Sequence, residues 1–218
     1  MKYYITTKDT PFDAVILGAG DFPSNAIPLT ILGRAPYLCC CDGAGAILMK
    51  HGVMPDAIIG DGDSLDEEFK KKNANIIHLM QEQDDNDLTK ATRFCLNNGL
   101  TNIAYLGATG KREDHTIANI SLMLTYKNKW GISPTMITDY GCFLPVKGDN
   151  EFETFKGQQV SIFNVSCTRL TATGLRWKPY VFEHLWQGTL NEATGQRVNF
   201  ECDGDYIVFL THEAKEKV

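Results

Sequence analysis

No apolar run among the 218 residues is long enough to cross a bilayer, and Met1 to Thr10 reads as too polar for a signal peptide. None of the 7 cysteines forms a C-x-x-C pair, so a structural zinc site is not indicated. Their odd number, with Cys39, Cys40 and Cys41 in succession, argues against a disulfide framework; buried free thiols in a reducing cytoplasm are expected. A basic stripe is missing too, and a formal charge of -6 argues against a general nucleic-acid binder. Internal repeats and low-complexity segments are absent. So is a Walker A loop, and Gly18-Ala19-Gly20 is no dinucleotide fingerprint, because no third glycine follows and Pro23 interrupts. Any triphosphate site here is built differently.

What is present is an alternation of short apolar runs and helical patterns. Residues 12–17, 37–41, 57–59, 75–79 and 103–106 read as strands; 27–33, 44–52, 85–98 and 114–126 read as helices, Gly99 closing the third. Continuous apolar strands divided by helices predict a mostly parallel sheet covered on both faces. After about residue 140 the pattern becomes β-rich, with runs at 143–146, 159–165, 168–171, 197–200 and 206–210. The expected plan is an α/β domain over residues 1–140 and a small all-β sandwich over 141–218.

Polar residues collect where the α/β strands end, which is where open parallel sheets place ligands. Cys41 leads into Asp42-Gly43, Ile59 into Gly60-Asp61-Gly62-Asp63-Ser64, and Leu79 is soon followed by Gln83-Asp84-Asp85-Asn86-Asp87. Leu106 runs into Gly107-Ala108-Thr109-Gly110-Lys111-Arg112-Glu113-Asp114-His115. Asp61 and Asp63 flank a glycine and can turn both carboxylates on one hard cation, as Mg²⁺ prefers. Read blandly, the same residues are a solvated turn with Ser64 as a cap, and Asp84 or Asp85 caps the following helix. Lys90, three residues after Asp87, either meets a phosphate or forms an i, i+3 ion pair. Gly107–Gly110 suits a phosphate-accommodating turn, and His115 is either a base or a helix-terminal structural residue.

Taken in order, D-G-A-G-A, P-D-A-I-I-G-D-G-D-S, Q-D-D-N-D-L-T-K-A and G-A-T-G-K-R-E-D-H-T-I-A-N resemble the thiamine pyrophosphokinase family, over Asp42 to Asn119. The resemblance implies transfer of a pyrophosphoryl group from ATP to thiamine, with release of AMP. It implies Mg²⁺ held by Asp61, Asp63 and Asp87, with Arg112 and Asp114 joining them in catalysis. Gln83 and Asn86 match its polar site positions and Asp42 its Asp-Gly turn, with Lys90 expected to assist at the phosphates, while Ala46 stands where the family commonly has Asn. Gly188-Thr189-Leu190-Asn191 resembles a degenerate form of the segment that receives thiamine, which brings in Thr189 and Asn191. No aromatic follows Asn191 to stack on the thiamine ring; Trp177 and Trp186 are substitutes, although a buried tryptophan is the more frequent case. A cytoplasmic homodimer with shared sites, and no nucleic-acid or membrane partner, is implied as well. Two rivals stand beside this reading: a nucleotide-sugar glycosyltransferase using Asp61-x-Asp63 for its metal, and an inactive nucleotide- or thiamine-binding sensor.

Overall fold

A computed structural model describes residues 1–82 and 84–215. A two-residue strand, β1 (Lys2–Tyr3), comes first but packs with the second half of the chain. Lys8–Asp139 then forms an α/β unit. It contains β2 (Ala14–Leu17), α1 (Ala26–Gly33), β3 (Leu38–Cys41), α2 (Gly43–Lys50), β4 (Ala57–Gly60) and α3 (Glu67–Lys72). β5 (Ile77–Leu79), α4 (Asp87–Asn97), β6 (Asn102–Leu106), α5 (Glu113–Trp130) and β7 (Ser133–Ile137) complete it.

β2, β3 and β4 are buried at every residue, the signature of a sheet covered on both faces. Within this unit the strand order is β7-β6-β2-β3-β4-β5, and every pairing is parallel. All six strands therefore end at one edge. The chain steps outward from β2 to β5, then returns to the other side of β2 for β6. That reversal makes a topological switch point between β2 and β6, the place where such sheets open a ligand crevice.

The second unit comprises Met1–Thr7 and the chain from Tyr140 onward. Its strands after β1 are β8 (Gly141–Lys147), β9 (Asn150–Glu153), β10 (Gln158–Asn164), β11 (Leu170–Thr173), β12 (Asn191–Glu192), β13 (Arg197–Cys202) and β14 (Asp205–Ala214). They form two layers, β12-β10-β14-β8 and β1-β9-β13-β11. Burial alternates along β13, and Phe152, Val160, Ile162, Val198, Phe200, Tyr206 and Val208 share one core between the layers. Among the described residues no helix is long and apolar enough to cross a membrane.

Three differences from the sequence reading have physical causes. Cys167 and Cys202 form a disulfide, while the other five cysteines are buried free thiols. The pair is separated by 35 residues and meets only because β13 ends beside the turn after β10, so linear spacing hides it. Helix α3 escapes periodicity because none of its residues is buried. Residues 1–7 go with the β unit, not with the α/β unit, because β1 pairs with β9.

Candidate active site

Two loops face each other across the switch point. The Gly18 and Gly20 N–H groups donate to the Leu106 and Gly107 carbonyls (2.8 and 2.7 Å), and Asp21 N–H to Thr109 O (2.9 Å). The approach demands glycine: a Cβ at Gly20 would lie 2.2 Å from Thr109 O and 2.6 Å from Gly107 O. The Lys111 ammonium adds a bond to Ala19 O (2.7 Å). Beside this zipper lies a cleft of about 310 Å³. Gly18–Gly20, Gly107, Ala108 and Gly110–Arg112 line it, with Cys41, Asn86–Leu88, His115 and Asn119. Gly18, Gly20, Lys111 and Asn119 are cleft-lining residues to which the sequence reading gives no role. The detectable signal was a Gly-x-Gly directly after a buried strand.

The carboxylates occupy the same strand edge. Asp61 Oδ1 accepts from the Asp63 N–H (3.1 Å), closing a tight turn over Gly62, whose φ of 80° needs glycine. Asp42 follows β3 at a φ of 37° and is only 4% exposed. Its Oδ2 accepts from the Ser64 N–H (3.0 Å), while Oδ1 has no hydrogen-bond partner. Asp87 opens α4 and reaches the cleft wall. Partial burial pushes its carboxyl above the usual range; the Lys90 ammonium opposes that, and the Asp42 and Asp61 charges add to it. Asp42 and Asp61 thus each repel the Asp87 charge through space. Asp63 is exposed, and its charge acts on Lys70. Among the described residues, Asp61, Asp63 and Asp87 do not bring ligand atoms within 4.8 Å of one another. The trio that does, Cys167, Cys202 and Asp203, is tied up in the disulfide and in bonds from Asp203 to Thr168 and Arg169.

Lys90 is buried and forms the i, i+3 ion pair with Asp87 (3.3 Å), which holds the carboxylate. The cap of α4 is Asn86, not Asp84 or Asp85, its Oδ1 accepting from the Thr89 N–H (2.9 Å). Ser64 is not a cap; Asp66 caps α3. Arg112 and Asp114 are exposed and grip each other in a two-point pair at 3.1 and 2.6 Å. That bond holds the Asp114 carboxyl below its usual range, which suits orientation of the guanidinium rather than proton uptake. Cys41 lines the cleft, but burial pushes its thiol far up and leaves it inert. Gln83 lies outside the described residues.

Thr189 and Asn191 belong to the β unit and line a separate cavity of about 160 Å³ with Trp177, Tyr180 and Phe182. The Asn191 carboxamide is spent on the Trp177 backbone, accepting from its N–H (3.2 Å) and donating to its O (2.7 Å). Thr189 Oγ1 donates to Trp186 O (2.7 Å). Both residues therefore set tryptophans in place. Contrary to the buried state expected of them, Trp177 is 53% and Trp186 71% exposed.

Known proteins fit this geometry. Residues 29–133 match the model described as thiamin pyrophosphokinase, catalytic domain, and residues 141–209 match thiamin pyrophosphokinase, substrate-binding domain. The solved thiamin pyrophosphokinase from Candida albicans superposes with a TM-score of 0.79 at 16% identity, covering 97% of this chain and 92% of that one. The Bacillus subtilis structure gives 0.74 at 21%, covering 91% and 98%. Both show a shared fold. Thiamin pyrophosphokinase 1 of Caenorhabditis elegans is 30% identical over 115 residues, 49% of this chain and only 46% of the relative. Thiamine pyrophosphokinase 1 of Oryza sativa subsp. japonica is 30% identical over 193 residues, 79% of this chain and 71% of the relative. With both domain models matched in order and most of a plant relative aligned, the chain belongs to the thiamin pyrophosphokinase family.

Proposed function

We propose that this chain transfers pyrophosphate from ATP to thiamine, giving thiamine diphosphate and AMP, with Mg²⁺ as the metal. Membership of the family supports the reaction, and one observation carries the metal: the buried Asp42 Oδ1 without a partner, beside Asp61 and Asp87. A buried carboxylate oxygen left bare is costly unless a cation completes it. The donors are all hard oxygens, and their open spacing suits an ion that keeps waters and phosphate oxygens in its shell. Asp61, Asp63 and Asp87 are its proposed holders, with Asp42 adding charge. Bound there, Mg²⁺ would supply charge neutralisation to the phosphates.

The protein's own part is alignment. Lys90 fixes Asp87, Asp114 fixes Arg112 at the cleft rim, and Arg112 is assigned to the phosphates. The thiamine hydroxyl oxygen bonds to the β-phosphorus as the bond from that phosphorus to the α–β bridging oxygen breaks. AMP leaves, and the hydroxyl proton passes to solvent. Trp177 and Trp186, exposed in the β unit, are assigned to the acceptor. A homodimer with shared sites is proposed on the same footing, covering the exposed Leu185, Trp186 and Leu190. The compartment we propose is the cytoplasm, on the five free thiols; the disulfide pulls the other way.

With ATP, Mg²⁺ and thiamine, AMP and thiamine diphosphate should form in equal amounts. ADP with thiamine monophosphate would overturn the mechanism, and nucleotide cleavage equally fast without thiamine would mark a hydrolase. Asp61→Asn should nearly abolish turnover without unfolding the protein; normal activity would sink the metal assignment.

A further inference from the structure

Asparagine is a poor choice inside an 18-residue helix unless its carboxamide has partners elsewhere. Asn119, in the second turn of α5, has two. Its Oδ1 accepts from Asn86 Nδ2 (3.1 Å), and its own Nδ2 donates to the Ala108 backbone carbonyl (2.8 Å). Asn86 in turn caps α4 through Oδ1, one residue before Asp87. Ala108 sits in the glycine turn that closes on the loop after β2. One chain of hydrogen bonds therefore runs from the helix carrying Asp87, through α5, to the turn on the far wall of the same cleft.

We propose that Asn119 is a positioning residue, a tie that holds the Asp87 wall and the Gly107–Gly110 wall of the cleft at one spacing. The proposal rests on the reaction proposed above, because the tie matters when a metal on one wall and phosphates on the other must be in register. A carboxamide suits this role because it offers an acceptor to one wall and a donor to the other at the same time. Alanine offers neither, and the two walls then move independently.

The test uses the full chain with two substitutions. Asn119→Ala removes the tie. Asn86→Ser keeps a capping oxygen for Thr89 but cannot span to Asn119, so it cuts the tie at its other end. Hydrogen exchange is followed at residues 84–89 and 107–111, and AMP formation is followed against Mg²⁺ concentration. Asn119→Ala should speed exchange in both segments. It should raise the Mg²⁺ needed for half-maximal rate about five- to tenfold, the worth of a link of this kind. The KM for thiamine should stay within about twofold, since the β unit is untouched. Because both substitutions break one chain of bonds, the double variant should be no worse than the poorer single one. A wild-type Mg²⁺ requirement in Asn119→Ala, exchange gained in one segment only, or penalties that multiply in the double variant would each overturn the tie. If the wild-type protein makes no AMP from ATP and thiamine, the proposed reaction fails, while the exchange data still decide whether the tie exists.

Discussion

Replacing Asp42 with Asn should make the metal-free protein more stable and the enzyme worse. The residue sits at a φ of 37°, which Asn tolerates as readily as Asp, and it is 4% exposed. Asn keeps an oxygen for the Ser64 N–H and nearly the same volume. Only the charge changes. Without a cation, the bare Oδ1 is a buried anionic acceptor lacking a partner, and its charge and that of Asp87 repel. An unsatisfied buried group costs about 1–3 kcal/mol, and more when charged. The amide still leaves a neutral group unpaired, so the net gain is about 1–2 kcal/mol. At roughly 2–4 °C per kcal/mol for a chain of this size, Tm in EDTA should rise by about 2–8 °C. Saturating Mg²⁺ reverses the ranking, because the wild type gains binding free energy that the variant has largely given up. Calorimetry with EDTA and with Mg²⁺, run beside an AMP-release assay, measures both signs. A variant that melts below the wild type in EDTA, or gains as much from Mg²⁺, would refute the reasoning.

Asp87 carries a raised pKa, so its charge is lost on acidification earlier than for an ordinary carboxylate. In the metal-free protein the Asp87 carboxyl should titrate above its ordinary value of 3.8, and Asp42→Asn should move it downward by removing one repelling charge, as an NMR titration in EDTA would read. The stability sign is opposite: a carboxyl that binds its proton more tightly when folded adds stability as pH falls through the folded pKa, which urea melts between about pH 4 and 7 would register. Gly20→Ala drives a Cβ onto two backbone oxygens and should cost about 1–3 kcal/mol, with a higher KM for ATP; a silent substitution would mean the loop zipper is not the cleft wall. Reducing the Cys167–Cys202 bond frees a loop with a separation of 35 and should cost about 3.5–4 kcal/mol, seen as a dithiothreitol-dependent drop in Tm that Cys202→Ser abolishes.

Much of the site was readable in the sequence because parallel strands deliver their ends to one edge. A carboxylate cluster soon after each apolar run is then enough to locate the candidate site, as Asp42, Asp61 and Asp87 illustrate. Strand order was not readable. Nothing in the residues 12–17 says that β6 returns beside β2, so Gly18-Ala19-Gly20, rejected as a dinucleotide fingerprint, turns out to bond directly to the Leu106–Thr109 loop beside the cleft. Partner choice was equally hidden. Lys90 has two chemically reasonable partners, one three residues away and one in solution, and only its burial selects Asp87. Asn191 enters through the family resemblance alone, and nothing in the sequence says that its carboxamide also brackets the Trp177 backbone.

The pairing of β1 with β9 bears on how the chain comes off the ribosome. The Met1 amine bonds to Asp149 O across 148 residues, and Lys2 lies opposite Glu151. The whole α/β unit is an insertion within the topology of the β unit. During synthesis the first strand must therefore wait, unpaired, while Lys8–Asp139 is made and can fold by itself. At roughly 5–20 residues per second that wait lasts several seconds to tens of seconds. A tag or fusion ahead of Met1 would sit beside the β1–β9 pair of the β unit, where it can delay closure of that unit.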